Sequence, residues 1–110
     1  MGQLSHADRQ RVSEALNQAY DQLRHKRRAL FAKLQRPLTI HLKNGLSPSL
    51  YSLRVGRDIN IILAIDDDPI FARMLVTLFR VVRRDELVRA YRSTVHRLYR
   101  DVIEPRNGTE

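Results

Sequence analysis

The stretch from Leu50 to Tyr91 sets Arg54, Arg57, Arg80, Arg83 and Arg84 among apolar residues. A guanidinium is a planar, permanently charged fork that grips phosphate through paired N–H donors, so arginines gathered on one surface are chemistry for a polyanion. Side chains of an extended chain alternate between two faces. Arg54 and Arg80 then share a face with Asn60, and Arg57 sits on the adjoining Gly56-Arg57 turn. Together they would hold phosphate; the competing use is pairing with Asp58 or another carboxylate. Arg83 and Arg84 stand just before a helix, at an end whose free N–H groups favour anions. Upstream, the connector carries the His41 imidazole and the Lys43 ammonium, which add acid, base or phosphate-binding capacity.

Other groups carry less. Asp66-Asp67-Asp68 precedes Pro69, without the glycine or the downstream bidentate glutamate of a calcium loop, and reads as turn chemistry. His6, His25 and His96 have no spacing that builds a metal site, and the run His25-Lys26-Arg27-Arg28 reads as a solvated helix face. Tyr20, Tyr51, Tyr91 and Tyr99 are too scattered for a base-stacking platform. With no cysteine, the chain has no disulfide scaffold, thiolate zinc site or thiol nucleophile. No cofactor is implied.

These residues need elements to position them. Ser5 reads as an N-cap with Asp8 three residues on. Val12, Leu16, Ala19, Tyr20, Leu23, Leu30, Phe31 and Leu34 recur at helical spacing, with no Gly or Pro before Pro37. A run of roughly thirty residues exceeds the usual globular helix. The apolar pattern thins at His25 to Arg28, so a helical hairpin, or at least a bend, is expected there; one long rod is the alternative. A connector follows, with a short extended piece at Thr39 to Leu42 and turns at Asn44-Gly45 and Ser47-Pro48. Strands are expected at Leu50 to Val55, Asp58 to Ile65 and Ile70 to Val82, joined by short turns as an antiparallel meander. Ile59, Ile61, Leu63 and Ile65 form one buried face; Asp58, Asn60, Ile62, Ala64 and Asp66 form a half-apolar face expected either to lie open to water or to carry a site. A final helix from Asp85 to about Ile103 buries Leu87, Tyr91, Val95, Leu98 and Val102, and Glu104-Pro105 ends it.

The expected fold is α+β: an N-terminal helix or helical hairpin (1–36), an antiparallel sheet of three or four strands (37–83), a C-terminal helix (84–104) and a polar tail (105–110). At 110 residues this is one domain, able to bury about two thirds of its unfolded surface. Lys plus Arg number 20 against 12 Asp plus Glu, a net charge of +8 and a pI near 10.8. That balance favours a polyanion or an acidic protein. No signal-peptide pattern or membrane-length apolar run is present, so a cytoplasmic protein is expected. Apolar positions on the N-terminal helices beyond what a small sheet requires suggest a homodimer.

The sequence YSLRVGRDINIILAIDDDPIFARMLVTLFRVVRRDELVRAY resembles the RelE/ParE toxin superfamily. The shared order is a Leu-Lys-x-Gly-Leu connector (Leu42 to Leu46), a Tyr-x-Leu-Arg-Val strand (Tyr51 to Val55), a glycine turn (Gly56), an apolar strand, an acidic hairpin (Asp66 to Asp68), a second apolar strand, then Arg84-Asp85-Glu86 and Tyr91. The resemblance covers about half of the chain. It implies a toxin of a toxin–antitoxin module that cleaves mRNA on the ribosome and is neutralised by an antitoxin; ParE-like members act on gyrase instead. It implies catalytic roles for Arg54, for Arg83 or Arg84, and for Tyr91. The family usually has an arginine where this chain has Asn60, and its tyrosine comes about one turn earlier than Tyr91. A second reading is therefore a module of the same fold that binds RNA, ribosome or a protein without cleavage.

Overall fold

The computed structural model describes residues 5–43, 45 and 47–103. Asn44, Leu46, and the helix end and tail from Glu104 onward lie outside the described residues. The Ser5 hydroxyl accepts the Asp8 amide at 3.1 Å and starts helix α1 (His6–His25). The helix breaks at Lys26, where φ is -140° and ψ 60°, and α2 (Arg27–Lys33) follows. Arg24 and Arg28 are like charges four residues apart, which weakens a continuous helix there. The expected bend is thus a clean break.

Three strands follow in the order β1 (Leu50–Val55), β2 (Ile59–Asp68) and β3 (Arg73–Arg83), all antiparallel. The β1–β2 turn needs Gly56, whose φ of 69° is open to glycine at little cost. Asp66 to Asp68, expected in the second turn, instead extend β2 and pair with Leu75, Met74 and Arg73. The turn is formed by residues 69–72, with Ala72 at φ 51°. Arg73 Nε donates to Asp68 Oδ2 at 3.1 Å and ties the strand ends together. The extended piece expected at Thr39 to Leu42 makes only the isolated bridge of Leu42 to Ile103. A 3-10 turn (Arg84–Glu86) leads into α3 (Leu87–Tyr99), shorter than expected.

The half-polar sheet face is not open. On one side Val12, Ala19 and Leu23 of α1 and Leu30 of α2 pack on Leu53, Val55, Ile59, Ile61, Leu63 and Ile65. On the other, Ala90, Tyr91 and Val95 of α3, joined by Ile40, Leu42 and Ile103, cover Leu50, Ile62, Ala64 and Val82. Every residue of β2 from Ile59 to Ile65 is buried, Asn60 included at 5% exposure. The expectation of an open face is corrected because two methyl-rich positions, Ile62 and Ala64, suffice to seat a helix when β1 and β3 add Leu50 and Val82 beside them. On the N-terminal helices the expected apolar positions are largely used by the core, and Tyr20 is the one left 48% exposed.

Candidate anion site at the strand-turn end

The β1–β2 turn and the end of β3 lie side by side because Val55 pairs with Ile59 and Ile59 with Arg83. The Arg84 amide donates to the Asp58 carbonyl at 2.7 Å and holds the start of the C-terminal segment against the turn. The N-terminal part of α1 closes the remaining side. The result is a cavity of about 450 Å³ whose polar walls are Asp8, Arg11, Gly56, Arg57, Asp58 and Arg83. Next to it a cleft of about 400 Å³ is lined by Asp58, Arg83, Arg84 and Asp85.

Arg57, Arg83 and Arg84 are therefore brought together, and Arg11 joins them. Among the described residues none of Arg57, Arg83 and Arg84 has a carboxylate within ion-pair distance. Arg11 stands 4.0 Å from Asp8, both at the surface, a pairing of little energetic weight. Arg54 borders the group: its Nε donates to the Gly56 carbonyl at 2.9 Å, not to Asp58. Arg80 is exposed on β3 opposite Ile62, three residues from Arg83 and outside the cavity. Lys43 is elsewhere, its amide bonded to the Val102 carbonyl at 2.6 Å.

Tyr91 is not in the site. It is fully buried beneath the sheet, and its hydroxyl donates to the Leu50 carbonyl at 2.6 Å. Burial pushes the phenol up to about 12, against the opposing pull of the Arg36 guanidinium. The folded state thus favours the neutral phenol. Its contribution is whole below the free-phenol value near 10 and is lost as the pH rises from there through about 12. Urea midpoints taken between these values should show a loss of about 2–3 kcal/mol that is absent in Tyr91→Phe. Equal losses in both proteins would refute this.

Arg11, Arg57 and Arg83 turn guanidinium donors toward the cavity. Cleavage through a ribose 2′-hydroxyl requires a base, an acid and charge stabilisation. Arginine supplies the last and stays protonated at neutral pH. Among the described residues that line the cavity there is no imidazole, amine or phenol, and its carboxyl groups are those of Asp8 and Asp58. Among the described residues no three His, Cys, Asp or Glu gather where they could hold a metal, and no helix is long and apolar enough to cross a membrane. Arg11 is the member that sequence reasoning missed; no short-range pattern links it to a turn so far along the chain. Neither protein-family models nor curated proteins nor solved structures match the chain.

Proposed function

We propose that this is a RelE/ParE-like module that holds the phosphate backbone of RNA at Arg11, Arg57, Arg83 and Arg84 without cutting it. The observation that carries the reading is the convergence of Arg57, Arg83 and Arg84 on one end of the sheet, free of carboxylate partners. The net charge of +8 supplies long-range attraction to RNA, free or ribosomal, in the same direction. Burial of the sheet face under α3, and of Tyr91 with it, favours binding over catalysis.

Single-stranded RNA of mixed sequence should bind with an affinity that falls with salt, each neutralised phosphate adding about 0.7 to the logarithmic slope. In the double variant Arg57→Glu/Arg83→Glu the affinity should drop at least about tenfold and the slope should shrink by about 1.4. Wild-type binding without salt dependence, or an unchanged variant, would overturn the assignment.

The order of motifs from Leu42 to Tyr91 favours a second reading: a translation-repressing toxin that cleaves mRNA on the ribosome and is neutralised by an acidic antitoxin. Inducing the chain in a bacterial host and mapping mRNA 5′ ends separates the two. New 5′ ends that vanish in Arg83→Ala/Arg84→Ala would establish cleavage; growth arrest with intact transcripts would exclude it.

A further inference from the structure

The anion cavity does not end at Arg11. Asp8 and Arg11 wall it from α1, and Ala15, Gln18 and Gln22 of the same helix wall a second hollow of about 90 Å³. Positions 8, 11, 15, 18 and 22 repeat at three- and four-residue steps, so they form a single stripe along α1. The facing wall also advances in order. It runs from the Gly56-Arg57 turn back along β1 to Arg54 and Leu53, then onto Lys33 of α2. From Arg11 to Gln22 the helix rises about 16 Å.

β1 is an edge strand, and Gln35 covers it only at Ser52, through Gln35 N–H to Ser52 O at 2.9 Å and Ser52 N–H to Gln35 O at 2.7 Å. The strand period of two puts the Arg54 amide on that same edge, beyond the reach of this cover. The polar residues that line the second hollow are Gln18, Gln22, Lys33 and Arg54, and among the described residues no acidic side chain lines it.

Resting on the phosphate reading of the arginine cluster, we infer that the ligand is an extended single strand of RNA. One phosphate lies at Arg11, Arg57 and Arg83, and the backbone continues along α1 to Gln22 and Lys33. The track holds no aromatic ring on which bases could stack, so it reads backbone and is indifferent to sequence.

Two ligands test this: a uridine dinucleotide, with one phosphodiester, and an oligouridylate of about ten nucleotides. Wild-type protein should bind the longer strand at least about tenfold more tightly than the dinucleotide. Gln22→Glu/Lys33→Glu should lose that advantage while binding the dinucleotide like wild type; Lys33→Ala, a truncation of an exposed side chain, should lose part of it. If the double variant keeps wild-type affinity for the longer strand, the track is wrong and the arginine cluster stands. If wild type binds neither ligand, the cluster reading falls and the track with it. Displacement of the longer strand by an oligoglutamate of equal charge, at equal concentration, would assign the track to an acidic protein and overturn RNA as its occupant.

Discussion

Tyr91→Ala should unfold the protein or nearly so, losing about 3–5 kcal/mol, the range for emptying a large aromatic side chain from a core. Domains of this size are held by only about 5–15 kcal/mol in total. Tyr91 is fully buried among Ala90, Val95, Leu50, Ile62 and Val82, so its removal opens the packing between α3 and the sheet. Its hydroxyl also satisfies the Leu50 carbonyl at 2.6 Å. Tyr91→Phe keeps the ring and strands that acceptor, and should cost about 1–3 kcal/mol. In urea melts both variants should lower the midpoint without changing the slope. A wild-type midpoint for Tyr91→Phe, together with lost RNA chemistry, would return the residue to a catalytic role.

The second large effect concerns two neighbouring isoleucines. Ile61→Asp and Ile62→Asp should each abolish cooperative unfolding, because each would leave an unpaired carboxylate in a dry core at a cost of about 3–5 kcal/mol beyond the lost apolar burial. Ile61 faces α1 and Ile62 faces α3, and neither has exposed surface. Leu78→Asp, at a site 46% exposed, should stay within about 0.5 kcal/mol of wild type. Far-UV circular dichroism during a urea titration checks all three. A folded Ile62→Asp would mean that α3 does not seal the second face.

The difference between these sites shows what could be read from residue order. The alternation of Ile59, Ile61, Leu63 and Ile65 identifies one core face because its apolar positions are unbroken. The opposite face is harder to read because Asn60 and Asp66 bracket Ile62 and Ala64, and the residues that complete its cover, Leu50, Val82 and Ile40, are distant in sequence. The helical spacing marks Tyr91 and Val95 as buried, but its continuation is not: Leu98, on α3 itself, and Val102, beyond the helix end at Tyr99, are each 43% exposed. Within the site, Arg57, Arg83 and Arg84 were visible as phosphate-binding types. Their convergence depends on strand register, and Arg11 enters only through the packing of α1 beside the turn. Arg54, to which the resemblance gives a catalytic role, donates its Nε to the Gly56 carbonyl at 2.9 Å, a contact that residue order does not reveal.

Two-sided burial of β2 also governs how the chain comes into being. During synthesis α1, α2 and the three strands emerge before α3, so the first core can form while Ile62, Ala64, Leu50 and Val82 still face water. A nascent chain at that stage has a half-finished sheet with an adhesive apolar surface, the kind of intermediate that chaperones recognise. α3 leaves the ribosome after the strands it covers, and the second core is complete only when Tyr91 reaches Leu50.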